Sequence, residues 1–478
     1  MRKRCRPTVI LAFLGFSLTP AGAQVPGTLD GSFGTGGLRR VDIQVGGAPR
    51  SNNATGLMVQ LDGKIVLGGA AATDGSGAQR MVAVRLTAGG ALDTSFSGDG
   101  VVAIDGYPPD DGNPRFSEGR VATAPNGGVY LYNGVVESTG FVSGWSVARL
   151  NASGGLVGTF GTAGLVHQVD LEIGVGDLVS RADGRPLILY PFLDEGGTVP
   201  NEEWALQRFL TDGSGDASFG DQGWVGFGFD VAGVQDDWAY ALVLQNDGRP
   251  VAAGSADVGE PDITVDDDFA VARLTTSGAL DGSFSGNGQV TIGFGDEAET
   301  ARAVAVDAKK RILVGGVSAG NCALARLLPN GALDPSFSGD GKLTFSFASD
   351  AGAAFDQIFG LVPQGDGKVI VVGRATTTAG TGRRVGVARL NADGSFDSTF
   401  SSLAGRPGRQ IFDWATDTGA VSVGRAVALA LDGRILVSGG AERAPGDMDF
   451  VAARLHNDYV FSDGFDWGGF GSWSAHVD

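Results

Sequence analysis

Three short signatures recur seven times along the chain, and this repetition constrains the fold more than any other feature. The first is Leu-Asp-x-Ser-Phe-Gly or a close variant, which returns about every 60 residues. Its seven phenylalanines are Phe33, Phe96, Phe160, Phe219, Phe284, Phe337 and Phe400. A unit repeated at this period predicts stacked copies of one supersecondary element, because a single copy cannot bury its apolar faces alone.

The other two signatures place strands and turns within each unit. Asp-Gly-Lys/Arg before an apolar run begins at Asp62, Asp183, Asp247, Asp366 and Asp432, with degenerate copies at 126–128 and 309–311. Asp-Gly between two apolar runs is a strong hairpin signal. The third signature, Val-Ala-Arg-Leu or a variant, carries Arg85, Arg149, Arg208, Arg273, Arg326, Arg389 and Arg454.

One unit is interpreted as a meander of four antiparallel strands. In the first complete copy, residues 54–60, 64–69, 81–86 and 101–104 form β-branched or alternating runs, and no helical period is sustained. Glycine accounts for 80 of the 478 residues and recurs at turns, where a positive φ is needed. Radial stacking of such sheets is the β-propeller solution, which usually has 4–8 blades.

The two ends of the repeat region are complementary. It opens with the end of a unit at residues 29–43 and closes with the start of one at residues 450–455. The first segment can therefore supply the outer strand of the last blade, which removes free sheet edges. We predict an all-β, seven-bladed β-propeller of four-stranded antiparallel blades, closed by the N-terminal strand and spanning residues 24–456. An open array of the same units is the alternative.

The combined signatures resemble the delta-60 repeat family, a unit of about 60 residues in bacterial secreted and surface proteins. The resemblance covers residues 28–455, although the third and fourth copies, at 155–164 and 215–223, lack all or part of the Leu-Asp pair. It implies a propeller-like extracellular protein and no particular activity.

Residues 1–23 have the three parts of a signal peptide. A basic segment from Arg2 to Arg6 precedes an apolar run from Val9 to Leu18, and Ala21 to Ala23 form an A-x-A cleavage site. The apolar run is too short to span a bilayer. We therefore expect a secreted protein, at the cell surface, in the periplasm or in the medium, with no membrane span. Residues 457–478 form a C-terminal tail outside the repeat.

Charge and reactive residues narrow the classes of function. The net charge of −19 argues against a nucleic-acid partner, since phosphate binding needs a basic face. Only Cys322 lies beyond the signal peptide, so no intrachain disulfide is expected. The three histidines are not paired with a nucleophile or at metal-ligand spacing. The sequence therefore favours a non-catalytic protein, although an enzyme with paired Asp/Glu at the channel mouth, such as a carbohydrate-active enzyme, stays open.

The candidate binding face carries the connections that vary between copies, because loops on a rigid scaffold usually hold binding residues. These connections, between strands two and three and between successive units, are rich in carboxylates and tryptophans. The candidate binding residues are Asp236, Asp237, Trp238, Asp266, Asp267, Asp268, Trp204 and Trp414. We expect a protein or glycan partner and no cofactor, with calcium left open. The seven repeated arginines are expected to be structural, each bonding the Leu-Asp carboxylate or turn carbonyls.

Overall fold

A computed structural model describes fifteen segments of the chain. They are residues 25–43, 52–72, 79–105, 115–136, 142–169, 176–194, 201–229, 236–259, 266–295, 299–347, 355–376, 382–401, 406–414, 421–444 and 447–458. The predicted signal peptide and nearly all of the predicted C-terminal tail lie outside these residues. No helix in the described segments is long and apolar enough to cross a membrane.

The strands form seven four-stranded antiparallel sheets, which we number as blades 1 to 7. The first strand, β1 (Leu38–Val41), belongs to blade 7. Blade 1 holds β2 (Asn52–Val59), β3 (Ile65–Ala72), β4 (Gln79–Leu86) and β5 (Val101–Ile104). Blade 2 holds β6 (Arg115–Ala124), β7 (Gly128–Val136), β8 (Val142–Leu150) and β9 (Leu165–Val169). A short 3-10 helix, Pro125–Gly127, stands where five of the other six blades have the Asp-Gly turn.

The next five blades repeat the arrangement. Blade 3 holds β10 (Asp177–Ser180), β11 (Pro186–Asp194), β12 (Asn201–Arg208) and β13 (Trp224–Phe227), and blade 4 holds β14 (Asp237–Leu244), β15 (Pro250–Asp257), β16 (Asp267–Arg273) and β17 (Gln289–Ile292). Blade 5 holds β18 (Glu299–Val306), β19 (Ile312–Ser318), β20 (Asn321–Leu327) and β21 (Lys342–Phe345). Blade 6 holds β22 (Gln357–Pro363), β23 (Val369–Thr376), β24 (Arg383–Leu390) and β25 (Arg409–Phe412), and blade 7 adds β26 (Ser422–Leu429), β27 (Ile435–Ala444) and β28 (Asp447–Leu455) to β1.

The blades close into a ring, which confirms the predicted seven-bladed propeller. The innermost strands β2, β6, β10, β14, β18, β22 and β26 each contact the next, and β26 contacts β2. β1 pairs with β28 over Leu38–Val41, with Leu38 opposite Ala453 and Val41 opposite Phe450. The two ends of the repeat region therefore complete blade 7 together, as the sequence predicted.

The core lies between neighbouring blades rather than within one. The seven signature phenylalanines are fully buried, and each apolar cluster draws side chains from two adjacent sheets, as Leu324 and Ile358 show for blades 5 and 6. Cys322 is buried in that cluster, and burial raises the pKa of its thiol well above the usual value. The thiol is therefore a packing group, not a nucleophile.

A buried arginine ties each blade to the next, and blade 5 shows the arrangement. Arg326 Nε donates to Asp334 in the connection after its own strand at 2.8 Å, and Nη1 donates to the carbonyl of Ala392 in blade 6 at 2.5 Å. Its guanidinium lies 4.7 Å from the ring centre of Phe337. We call this set the clamp, and the end of the ring that carries it the clamp face.

Six of the seven repeated arginines make the clamp carboxylate bond, at 2.7–2.8 Å. The pairs are Arg85–Asp93, Arg208–Asp216, Arg273–Asp281, Arg326–Asp334, Arg389–Asp397 and Arg454–Asp30. Arg454 and Asp30 come from opposite ends of the repeat region, so the clamp also holds the ring closed. Hydrogen bonds from Ser336 and the charge of Arg326 lower the pKa of Asp334, although burial alone would raise it.

The basic residue of Asp-Gly-Lys/Arg binds the same clamp aspartate from a second side. The distances run from 2.8 Å for Arg185–Asp216 to 3.5 Å for Lys64–Asp93. Blade 2 is the exception, because Val157 replaces the aspartate and Gly128 replaces the basic residue. Arg149 keeps its hydrogen bond to the Thr211 carbonyl of blade 3 at 2.5 Å. Both ionic partners are therefore missing together in that one copy.

Arg326→Ala is expected to lower the free energy of unfolding by about 3 kcal/mol, because it leaves Asp334 buried without its main counter-charge. The matched control is Arg149→Ala, whose clamp has no carboxylate and which should lose only about 1 kcal/mol with its carbonyl hydrogen bond. Urea denaturation followed by tryptophan fluorescence gives both values. Equal losses would show that the carboxylate pair contributes nothing to stability.

Removal of residues 1–43 is expected to expose the unpaired edge of β28 and to yield oligomers or aggregates, since free strand edges pair with other chains. The control is a circular permutant that carries residues 25–43 after residue 458, which keeps β1 and the Asp30 carboxylate in the same molecule. Size-exclusion chromatography and thermal unfolding should show a stable monomeric ring for the permutant only. A truncated protein as stable as the permutant would refute the closing role of β1.

Candidate functional site

The end of the ring opposite the clamp face, which we call the variable face, carries the connections that differ between copies. Many residues of these connections lie outside the described segments, but all eight predicted binding residues lie within them. Their positions can therefore be stated one by one.

Asp237 is buried and serves the backbone rather than a ligand. Its Oδ2 accepts a hydrogen bond from Phe229 N at 2.6 Å, where the chain passes from blade 3 to blade 4. Glu299 and Asp356 accept in the same way from Phe294 N and Phe347 N, each at 2.8 Å. Asp237 therefore begins a strand and supports the chain between two blades, and its part in binding stays a prediction.

Two of the predicted tryptophans are core residues. Trp204 lies in β12, is fully buried and packs 4.9 Å from Phe229 and 6.0 Å from Phe227, centre to centre. Trp414 is also buried and lies 5.5 Å from Phe412. Trp204 therefore lies in a strand, whereas Trp414 lies in the connection after β25, and both rings fill space between blades. Their part in binding stays a prediction. Trp238 is half-buried within β14, opposite Ser255.

The remaining predicted residues form one acidic cluster on blade 4. Asp236 and Asp266 to Asp268 lie close to Asp257, which stands directly opposite Asp267 in the strand pairing. Burial, followed by the charges of Asp257, Asp266, Asp236 and Asp268, raises the pKa of Asp267 to about 6. In the described segments, no group of three or more His, Cys, Asp or Glu side chains is arranged to hold a metal ion.

A second set of side chains, absent from the sequence prediction, lines the central channel. Five innermost strands contain a β-bulge that takes one residue out of the ladder. The bulged residues are Thr55, Tyr240, Arg302, Phe359 and Arg425. With Glu118 and Arg120 of β6 they line one small cavity. Each bulged residue is the third or fourth of the seven or eight residues in its strand, so the bulges lie near the middle of the innermost strands.

Ion pairs and stacking hold the channel side chains in place. The carboxylate of Glu118 lies 2.9 Å from Nη2 of Arg120 and 3.3 Å from Nη1 of Arg425. The Nε of Arg120 also lies 3.3 Å from Oδ1 of Asp177 in β10. The guanidinium of Arg302 lies 3.7 Å from the ring centre of Tyr240, and that of Arg425 lies 4.4 Å from that of Phe359. Seven residues from six blades thus meet around one small space.

Two channel carboxylates have pKa values shifted in opposite directions. Burial alone would raise the pKa of Glu118, but the charges of Arg120 and Arg425 lower it to about 2. Burial raises the pKa of Asp177, although Arg120 and the backbone N–H groups of Leu242 and Leu178 act against that rise. Such a divided pair can mark an acid and a base.

The channel set had a signal in the sequence. In the blades with bulges, the residue nine positions before the clamp-binding Lys or Arg is Thr55, Tyr240, Arg302, Phe359 or Arg425. An arginine inside an otherwise apolar run such as Ala301 to Val306 is unusual for a strand that is buried on both faces. A bulge at that position can redirect the side chain, because the bulged residue has no partner in the ladder.

A known family model supports the propeller and leaves the activity open. Residues 60–96, 310–337 and 364–400 match the family described as "Domain of unknown function (DUF5122) beta-propeller". Each match runs from the hairpin turn to the signature phenylalanine, so it covers the clamp. This supports a propeller repeat family, and the delta-60 name stays a resemblance. No curated protein sequence matches the chain.

The solved structures that match in a structural comparison have low sequence identity to this chain. A virginiamycin B lyase from Staphylococcus aureus is 9% identical, with 87% of this chain and 98% of that chain covered and a TM-score of 0.45. The polysaccharide lyase Uly1 is 9% identical, with coverages of 89% and 93% and a TM-score of 0.46. The NanB sialidase from Streptococcus pneumoniae is 9% identical, with coverages of 87% and 70% and a TM-score of 0.43.

Asp267→Asn is expected to raise the melting temperature at pH 7.5 and to leave it unchanged at pH 4. The pKa of Asp267 is higher in the folded protein than the ordinary value near 4, so ionisation between pH 4 and pH 6 costs stability that the neutral amide retains. After solvent screening, a gain of about 1 kcal/mol is expected.

The control for this prediction is Asp221→Asn, an exposed carboxylate on the clamp face of blade 3. Differential scanning calorimetry of both variants at the two pH values separates the local effect from the general pH dependence. A gain for Asp267→Asn that is the same at pH 4 and pH 7.5 would contradict the raised pKa.

Proposed function

We propose that this protein is an exported, non-catalytic propeller that binds a glycan in its central channel. The observation that carries the proposal is the contrast between the two ends of the ring. On the clamp face, six copies use the same arginine and aspartate to hold neighbouring blades together. In the channel, equivalent positions carry threonine, tyrosine, phenylalanine and two arginines. Variation at equivalent positions of a repeat is expected where a ligand is contacted and not where blades are joined.

The chemistry of the channel favours a glycan over a protein segment. Aromatic rings and arginines with fixed planes suit a sugar ring and its polar substituents. The signal-peptide features of residues 1–23 support export, which would bring the protein to extracellular polysaccharide. A protein partner would instead cover the variable connections and the acidic cluster of blade 4.

A carbohydrate-active enzyme is the second candidate, because Glu118 and Asp177 come from different blades and meet at Arg120. Their opposite pKa shifts would suit a base and an acid. Binding is favoured because both carboxylates are engaged by Arg120, and both oxygens of Asp177 also accept backbone hydrogen bonds, from Leu178 and Leu242 at 2.8 Å each. Groups held in this way are poorly placed to transfer protons to a substrate.

A polysaccharide array probed with the labelled mature protein tests the proposal. We expect retention on at least one polysaccharide and about tenfold weaker binding by the double variant Tyr240→Ala/Phe359→Ala, which removes the aromatic walls of the channel. The matched control is Leu61→Ala/Leu156→Ala, since these leucines are exposed at 53% and 42% on the clamp face. Equal loss in both variants would contradict binding at the channel.

The same polysaccharides distinguish binding from catalysis. Incubation with the wild-type protein should leave chain length and reducing-end content unchanged. Release of reducing ends that disappears in both Glu118→Gln and Asp177→Asn would replace the binding proposal with the enzyme.

A further inference from the structure

Positive charge is in excess in the channel, although the whole chain carries −19. Arg120 is balanced by Glu118 and Asp177, and Arg425 shares Glu118 at 3.3 Å. Arg302 has no carboxylate within salt-bridge distance among the residues that the structure describes. One arginine of the cavity wall thus faces the cavity without a protein counter-ion in that part of the chain.

The geometry of Arg302 matches that of an anchor for a ligand. Its guanidinium carbon lies 3.7 Å from the ring centre of Tyr240, a contact that holds the group in place and leaves its N–H groups as donors. Its Nε is buried, and no described group accepts a hydrogen bond from it. The Nε of Arg425, whose guanidinium lies over Phe359, is likewise buried without an acceptor among the described residues. A buried donor without an acceptor is costly, so a bound acceptor would be favourable.

Neighbouring charges strengthen the field at this end of the channel. Burial has the largest effect on the pKa of Arg425 and lowers it. The charges of Arg120, Arg302 and Arg383 lower this pKa further, whereas the charge of Glu118 raises it. Arg374 at the end of β23 and Arg383 at the start of β24 lie beside it on blade 6.

We propose that the channel is a binding site for the oxyanion group of a small ligand, with Arg302 as the bidentate anchor and Arg425 as the second donor. Carboxylate, sulfate and phosphate share the planar or tetrahedral oxygens that an arginine fork holds with two parallel hydrogen bonds. Tyr240 and Phe359 then flank the ring that bears the group. This inference rests on the proposed function, and it identifies the glycan as an acidic one.

The test is isothermal titration of the mature protein with glucuronate, glucose, sulfate and inorganic phosphate in chloride buffer of fixed ionic strength. Glucuronate should bind, and neutral glucose should bind at least tenfold more weakly. Binding of glucuronate alone assigns a carboxylate sugar, whereas equal binding of free sulfate or phosphate assigns a general oxyanion site.

Variants of one side chain identify the anchor. Arg302→Gln should weaken glucuronate binding at least tenfold and should raise the melting temperature of the ligand-free protein, since it removes an unbalanced charge. Arg302→Lys should recover only part of the affinity, because lysine lacks the fork. The control is Arg384→Gln, a residue exposed at 49% on blade 6 near Asp413, which should leave binding unchanged.

The outcomes separate this inference from the proposed function. Equal affinity of wild type and Arg302→Gln for glucuronate, or no binding of any oxyanion at 10 mM, would overturn the anion site even if the array shows a neutral glycan bound at the channel. Oxyanion binding that depends on Arg302, without retention on any polysaccharide, would uphold the anion site and refute glycan recognition.

Discussion

The bond between a buried arginine and the aspartate of its own blade is the interaction on which the ring depends. A meander of four short strands has two apolar faces and gains stability only when a neighbour covers each of them. The clamp fixes how neighbouring blades meet, because one guanidinium binds a carboxylate of its own blade and a carbonyl of the next blade. The aspartate is itself fixed by a serine or threonine two residues later, and by a second basic side chain from the hairpin. The blade boundary is thus set by directional bonds as well as by packing.

Because one end of the ring is committed to these bonds, the other end and the channel are free to differ between copies. The bulges make that freedom compatible with the sheet. A bulged residue leaves the ladder, so its side chain no longer needs to satisfy the alternation of a strand buried on both sides. Arg302 can therefore stand within a run of alanines and valines without placing its charge in the core. The acidic cluster on blade 4 and the arginines of blade 6 add opposite charges around the same opening.

Much of the fold followed from the sequence, because turn motifs and strand periodicity are local signals. Each signal recurs in up to seven copies, so a weak one in a single copy is supported by the others. The Asp-Gly hairpins, the split last blade and the Arg–Asp contacts could all be inferred from spacing alone. The site was harder, because burial at the rim depends on the neighbouring blade. Asp237 and Trp204 have the composition of loop ligands, yet an adjacent backbone N–H and two phenylalanines enclose them. The bulges were missed because one displaced residue does not change the repeat.

The bulged positions have a consequence for how such a ring can change over time. A substitution there leaves the strand pairing and the clamp in place and changes chiefly what the channel can hold. Five positions on five blades each contribute one side chain to a shared space, where some of them also contact one another, as Arg302 contacts Tyr240. A lineage of such proteins could therefore change its ligand through substitutions at a few positions of one fold. Recognition in this architecture is a combinatorial property of side chains drawn from several copies of the repeat.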